Sequence, residues 1–245
     1  MKYQFLFRKG ECMKPVNLYF LHHSGFMVEL EKVILVFDYY LDPAGHVEKK
    51  LQETDKAVYF FVSHVHGDHF NRAIRSFEDR ASGYFLHRDC RLVLQNDSLL
   101  HMMDVGDSVE EGPLSVHMYG STDAGGSFMV EAEGLRIFHA GDLNWWHWAG
   151  EGDGDNRDAR DGFFHELSLI KEKSVDLAFI PVDARQQVAR EWGVKQYLSH
   201  FTAGLLVPMH AFGQRWAPSY EFHWLFPDQE MWIPAGDGDT VRKTL

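Results

Sequence analysis

The chain has 245 residues, 45% of them hydrophobic and 14% aromatic, which is enough to bury one large core or two small ones. Its 24 Lys and Arg residues stand against 36 Asp and Glu, and the resulting net charge of -12 argues against docking on nucleic acid or on an anionic membrane. No change of composition divides the chain, so we predict a single domain over residues 1–245.

The cysteines and the N-terminus bear on location. Cys12 and Cys90 are too far apart for a thiolate metal motif, and two cysteines do not make a disulfide framework. The N-terminus lacks the apolar segment of a signal peptide, and the chain has no run of about 18 apolar residues that would span a membrane. We therefore expect a cytoplasmic protein without a membrane span.

The first third of the chain is predicted to be mainly strands joined by short turns. Alternating or continuous apolar runs favour strands at residues 3–7, 16–21, 26–30, 33–37 and 57–62. The first four are separated by Gly, Pro or charged residues, as in a β-meander. A short amphipathic helix is predicted at residues 46–53, directly before the fifth strand.

Strands and helices mix in the remainder. We predict strands at residues 83–86, 114–119, 127–132, 135–139, 175–182, 205–209 and 231–234, and helices at 71–80, 163–172, 194–198 and 220–226, before a polar tail. Residues 143–162 show no periodicity and are predicted to be a functional lid or binding loop, with a plain solvated loop as the alternative. Two strand-rich halves would pack as two sheets with helices outside.

One stretch carries the strongest chemical signal. Residues 62–70 read VSHVHGDHF and place His64, His66, Asp68 and His69 within six positions, directly after the apolar strand 57–62. Imidazole suits zinc, iron, manganese or cobalt, and the carboxylate adds a hard, charged oxygen. A cloning tag would lie at a terminus and would not follow a core strand. The stretch therefore predicts a metal site at the end of this strand.

Further polar residues directly follow other predicted strands. They are Asp38, Asp142 in the HAGD segment, Asp183 in PVDAR and His210 in PMH. All of them are Asp or His, the residue types of the metal motif. Strand ends that meet at one edge would bring them together.

The HVHGDH stretch, the AGD triplet and the late PMH together resemble the metallo-β-lactamase superfamily of metal-dependent hydrolases. The HSGF segment at residues 23–26 is similar to the branch that contains the UlaG-like and related uncharacterised hydrolases. The resemblance implies an α+β fold, an αββα four-layer sandwich with the metal site at one edge. It also implies one or two divalent metal ions, with zinc expected first and manganese or iron as alternatives.

The resemblance also implies a role for each matching residue. Asp38 would hold the metal loop by hydrogen bonds. Asp68 would act as the catalytic residue, because it is placed to orient a water or receive its proton. A divalent ion lowers the pKa of such a water from about 15.7 to about 7. The implied ligands are His64 and His66 for the first ion, Asp68, His69 and His210 for the second, and Asp142 as the bridge.

One position departs from the family pattern. The family commonly supplies a third first-site imidazole from a turn where this chain has Ser121, and a neutral hydroxyl is a poor zinc ligand. We therefore predict that the second site binds its ion more tightly, or that Asp123, His23 or water completes the first.

Several nearby residues leave alternatives open. His23 either reaches the metal pocket or has only a structural role before the strand that follows it. Asp183 and Arg185 either support the site and bind an anionic substrate group, or form a mutual ion pair. An aromatic wall over the substrate, or a cap on the core, is expected from three tryptophans: Trp145, Trp146 and Trp148.

The resemblance leads to a hydrolase that acts on an ester-type bond, a phosphodiester or a lactone-like carboxylic ester, of a small substrate. The alternative is a non-catalytic metal-binding or sensor protein that retains the fold, which Ser121 motivates. A di-iron oxidoreductase would want an extra carboxylate and a partner domain, for which this length leaves no room.

Overall fold

Two β-sheets lie face to face in the computed structural model of the protein, which describes residues 13–245. The first sheet has the spatial order β13-β1-β2-β3-β4-β5-β6, and the second has the order β12-β11-β10-β9-β8-β7. The strands of the first sheet are β1 (Pro15–His22), β2 (Gly25–Glu29), β3 (Val33–Phe37), β4 (Ala57–Val62), β5 (Gly83–His87), β6 (Leu100–Met103) and β13 (Thr240–Thr244). Those of the second are β7 (Ser108–Glu111), β8 (Leu114–Tyr119), β9 (Ser127–Ala132), β10 (Leu135–His139), β11 (Ser174–Pro181) and β12 (Thr202–Met209).

Helices cover the outer faces of both sheets. They are α1 (His46–Glu53), α2 (Asp153–Leu169), α3 (Trp192–His200) and α4 (Tyr220–Leu225). Val47 and Leu51 of α1 are buried on the outer face of the first sheet. Tyr197 of α3 stacks on Phe138 of β10, with ring centroids 5.6 Å apart. These contacts give the predicted αββα sandwich. Among the described residues, no helix is long and apolar enough to cross a membrane.

The core between the sheets is rich in aromatic side chains. Phe61 of β4 meets Phe128 of β9 edge to face at 5.4 Å, and Phe26 of β2 meets Phe179 of β11 at 4.6 Å. β3 to β6 run parallel, as do β10 to β12. Central parallel strands are covered on both faces and read as continuous apolar runs, which is why strand 57–62 could be predicted to the residue.

Most predicted elements are confirmed within one to three residues. The bounds agree fully for α1 and for β3, β4, β8, β9 and β10. The helix predicted at 71–80 is only a 3₁₀ turn, Arg72–Phe77, which Asn71 caps. The strand predicted at 3–7 lies outside the described residues.

The prediction of a 20-residue loop at 143–162 is wrong in its second half. Helix α2 begins at Asp153 and continues to Leu169. Its first ten residues, DGDNRDARDG, lie mostly on the surface, so they show no apolar period. Asp153 and Asp155 in the first turn favour a helix start there, because carboxylates stabilise the positive end of the helix dipole.

The C-terminal end was also assigned wrongly. The strand predicted at 231–234 is a single bridge between Met231 and Leu206, and the polar tail forms β13 against β1. β6 and β7 were not predicted. Edge strands such as β13 and β7 face solvent and carry charged residues, and therefore lack the apolar signal of central strands.

Two glycine turns of the second sheet lie against the residues that follow β4. Gly125, in the turn before β9, has φ +66°, and a Cβ there would lie 2.1 Å from the Ser63 carbonyl oxygen and 2.5 Å from His64 Cβ. Gly141, after β10, has φ +54° and would place a Cβ 2.8 Å from Ser63 Cβ. Only glycine lets these turns lie against the start of the metal motif.

We expect Gly125→Ala to destabilise the fold by about 2–5 kcal/mol, since it combines a left-handed backbone with a backbone clash. Gly150→Ala is the matched control, because a Cβ there meets nothing within 4 Å. Urea unfolding of both variants measures the difference. Equal stability of the two would contradict the close approach.

Candidate metal centre

The Asp142 carboxylate lies at the centre of three imidazoles. Its Oδ1 is 3.1 Å from His69 Nε2 and 3.4 Å from His210 Nε2, and its Oδ2 is 3.3 Å from His64 Nε2. These residues follow β4, β10 and β12, and the carboxyl ends of those strands bring them to one edge of the sandwich. All four side chains are buried.

Hydrogen bonds fix two of these rings with Nε2 facing inward. The Asp38 carboxylate accepts hydrogen bonds from the Ser63 amide at 2.8 Å, the Ser63 hydroxyl at 2.7 Å and His69 Nδ1 at 2.8 Å. Because the Ser63 proton points to Asp38, the hydroxyl oxygen accepts from His64 Nδ1 at 2.9 Å. With both Nδ1 atoms donating, each Nε2 faces Asp142 and binds a metal through its lone pair once it carries no proton.

The third ring is held in the same way from the other sheet. His210 Nδ1 donates to Asp183 Oδ2 at 3.2 Å, so its Nε2 also carries the lone pair. Burial alone would raise the pKa of Asp183, but hydrogen bonds from His210 and Arg185 outweigh it and lower this pKa to about 2. Asp183 is therefore an ionised acceptor at neutral pH.

The inner atoms of this cluster have no hydrogen-bond partner among residues 13–245. They are His23 Nε2, His64 Nε2, His69 Nε2 and Asp142 Oδ1. Leaving one such group buried and unsatisfied costs about 1–3 kcal/mol, and a native fold rarely gathers four. Divalent cations bound on the two sides of Asp142 would satisfy these atoms, so the residues present fit a metal centre.

Two groups of ligand atoms flank Asp142, and within each group the atoms lie within 4.8 Å of one another. We call them the inner group, which is mostly buried, and the outer group, which is more exposed. A third set of His64, His69 and Asp142 connects them. The inner group is His23, Asp68, His69 and His210, and the outer group is His66, Asp123 and Asp142.

Asp123, rather than Ser121, lies where the outer group needs a ligand. Asp123 Oδ2 is 3.7 Å from His66 Nδ1, and the two side chains are 49% and 47% exposed. The Ser121 hydroxyl instead accepts a hydrogen bond from the Asp123 amide at 3.4 Å. Of the three groups that the sequence left open for completing the first site, Asp123 is the one that lies beside His66.

His23 lies in the inner group, which the sequence left open. Its Nε2 is 3.5 Å from Asp68 Oδ2, and its ring centroid is 4.1 Å from that of His210. Burial, together with the nearby imidazoles of His210 and His69, lowers the pKa of His23 to about 3. The ring is therefore neutral at pH 7 and can donate its lone pair to a cation.

The electrostatic environment favours positive charge at the centre. Burial would raise the pKa of Asp142, but the surrounding imidazoles hold it well below its ordinary value. Burial would lower the pKa of His69, yet the adjacent carboxylates of Asp142 and Asp38 raise it to about 10, so a metal ion bound at Nε2 would displace a proton. Both shifts mark a site in which carboxylates attract a cation.

Backbone strain is concentrated at the same residues. His23, Asp38 and His210 have φ values of 55°, 43° and 59°, a region that side chains other than glycine rarely occupy. Such strain costs about 1–3 kcal/mol per residue and persists where the surroundings impose it, often at functional sites.

A cavity of about 430 Å³ opens over the cluster. Asp68, Asp142 and His210 form its floor, and Trp146 and Trp148 form one side. Trp145 instead packs on the core side, since its ring lies 5.1 Å from Trp192. Of the two roles that the sequence left open, Trp146 and Trp148 therefore fit the aromatic wall, and Trp145 fits the cap on the core.

Comparison with known proteins fits this geometry. No protein-family model matches the sequence. A UPF0173 metal-dependent hydrolase of Desulforamulus reducens is 28% identical over 184 residues, which cover 68% of this chain and 72% of that protein. Another, from Alkaliphilus metalliredigens, is 21% identical over 210 residues, or 80% of this chain and 85% of that protein.

Solved structures agree in fold. Igni18, a metallo hydrolase from Ignicoccus hospitalis, superposes with a TM-score of 0.57 at 16% identity, covering 94% of this chain and 99% of that chain. The metallo-β-lactamase fold protein YhfI of Bacillus subtilis gives 0.55 at 12% identity, over 94% and 100%. This chain has the metallo-β-lactamase fold. CmlA, a diiron β-hydroxylase of Streptomyces venezuelae, shares the fold at a TM-score of 0.53 and 10% identity, over 96% of this chain and 54% of that chain.

We expect Asp38→Asn to weaken metal binding by roughly 10- to 100-fold, because an amide cannot accept all three hydrogen bonds that orient His69 and Ser63. Competition with a fluorescent chelator measures the affinity. Asp237→Asn is the control, since that carboxylate pairs with His22 outside the metal groups. If the two variants bound metal equally well, Asp38 would not orient the ligands.

Proposed function

We propose that this enzyme hydrolyses an ester-type bond, a phosphodiester or a lactone-like carboxylic ester, in a small substrate. The observation that carries the proposal is the set of four buried, unpartnered ligand atoms around Asp142, which lie beneath an open cavity. The metal-dependent hydrolases similar in sequence support it.

We further propose an unequal pair of metal sites. Asp68, His69 and His210 would hold the tighter ion with help from His23, since all but Asp68 are buried. His64, His66 and Asp123 would hold the weaker ion on the more exposed side. Asp142 would bridge the two.

The ligand types favour zinc, with manganese or iron as alternatives. The donors are imidazole nitrogens and carboxylate oxygens, without a thiolate. The shared fold of the diiron protein CmlA keeps iron among the candidates. Free, buried Cys90 and the acidic chain support the proposal of a cytoplasmic enzyme that does not bind nucleic acid.

A bound divalent ion supplies a Lewis acid and makes water acidic enough to react near neutral pH. The chain's own residues do the rest. Asp68 is 42% exposed at the cavity floor, where a carboxylate oxygen can accept a hydrogen bond from the attacking water and take its proton. Trp146 and Trp148 stack in parallel beside it and would hold an apolar part of the substrate away from solvent.

A second candidate, a metal-binding sensor without turnover, is favoured by one observation. The outer group lacks the imidazole that the family supplies at the position of Ser121, and its His66 and Asp123 are half exposed. A sensor would bind metal and turn over no substrate.

We expect Asp68→Asn to keep the fold and to lower turnover by roughly 10²- to 10⁴-fold, because the amide cannot take a proton from water. The assay is a panel of generic phosphodiesters, lactones and thioesters with added zinc or manganese, and circular dichroism monitors the fold. Asp89→Asn is the control, as its carboxylate is 63% exposed and lies outside the metal groups.

The same panel separates the enzyme from the sensor. Activity that depends on metal and on Asp68 supports the hydrolase. Undiminished activity in Asp68→Asn refutes the role of this residue, and a wild-type protein that binds metal yet acts on no compound favours the sensor.

A further inference from the structure

We propose that Arg185 binds a carboxylate group of the substrate, so that the substrate carries a free carboxylate beside its scissile ester-type bond. This proposal rests on the function proposed above, since it names the substrate class of the same site. The sequence left two roles open for Arg185, an ion pair with Asp183 or the binding of an anionic group. In this proposal Arg185 has both.

The position of Arg185 gives it access to the substrate. It follows β11 by four residues and lines the same cavity as Asp68, Asp142 and His210. Its side chain is 49% exposed, whereas its partner Asp183 is fully buried. An arginine that served only the ion pair would gain nothing from this exposure to the cavity.

The guanidinium group is held in a fixed orientation. Asp183 accepts from Arg185 Nε at 3.0 Å and from Nη2 at 2.6 Å, and no hydrogen bond among the described residues uses Nη1. The Phe212 ring centroid lies 3.5 Å from Arg185 Cζ, and that of Trp148 lies 5.4 Å away. The aromatic contacts and the ion pair with Asp183 thus fix the guanidinium group in advance. Its remaining N–H groups are left to bind an anion.

The charge of the cavity selects the kind of anion. Among its described lining residues, Arg185 is the one Lys or Arg side chain, against four carboxylates: Asp68, Asp123, Asp142 and Glu151. A singly charged, planar carboxylate matches one guanidinium fork. A phosphate dianion at the same place would need more positive charge than the side chains there provide, so we favour a carboxylate.

The test compares two aryl esters on the metal-loaded enzyme. Mono-p-nitrophenyl glutarate carries a free carboxylate, and p-nitrophenyl pentanoate is its neutral counterpart. We expect Arg185→Gln to lower the ratio of their kcat/KM values, anionic over neutral, by roughly 10-fold or more, mainly through KM of the anionic ester. Arg185→Lys, which keeps the charge but loses the fork, should recover part of the ratio.

Arg215→Gln is the matched control. It removes the same charge from an exposed residue that lies outside the cavity and donates to the Ile233 carbonyl. The ratio should stay at its wild-type value in this variant. An equal fall in Arg185→Gln and Arg215→Gln, or no fall in Arg185→Gln, overturns the proposal.

Direct binding of glutarate, measured by calorimetry on the metal-loaded proteins, gives a second readout that does not need turnover. Arg185→Gln should bind glutarate roughly 10-fold or more weakly than wild type and Arg215→Gln. If neither ester is hydrolysed but glutarate binding depends on Arg185, the proposed carboxylic-ester activity fails and the carboxylate site stands. If both esters are hydrolysed and Arg185→Gln leaves their ratio unchanged, the ester hydrolase stands and the carboxylate site fails. Tighter Arg185-dependent binding of inorganic phosphate than of glutarate, or no glutarate binding by wild type, overturns the carboxylate assignment.

Discussion

Three imidazole nitrogens and one carboxylate oxygen lie buried near one another without a hydrogen-bond partner among residues 13–245. A folded chain rarely tolerates such a set, because each unsatisfied buried group costs free energy comparable to a lost hydrogen bond. Cations bound on the two sides of Asp142 would satisfy the set. The ionised Asp142, the raised pKa of His69 and the strained backbone at His23 and His210 lie at the same place.

The surrounding fold serves to hold these atoms in place. Asp38 after β3 and Asp183 after β11 each accept a hydrogen bond from an imidazole Nδ1, so the two sheets orient the imidazoles from opposite sides. Gly125 and Gly141 allow the loops of the second sheet to reach Ser63. Asp183 also anchors Arg185, and the same carboxylate therefore links the metal centre to the substrate cavity.

The sequence predicted the sandwich and the residues at its strand ends, because central parallel strands are continuous apolar runs and the side chains that follow them share one edge. β13 escaped prediction since its partner β1 is distant in sequence and its residues are charged. The start of α2 is a solvated face without a period. Asp123 is brought to His66 only by the packing of one loop on another, which no local pattern records.

The central claim is that the two metal sites are unequal, with the tighter one on the buried side of Asp142. Anomalous diffraction from crystals of the protein supplied with one equivalent of zinc tests it most directly. We expect the main peak beside His69 and His210, and a weak peak or none beside His66 and Asp123. A stronger peak at the exposed pair, or no peak near Asp142, would contradict this account.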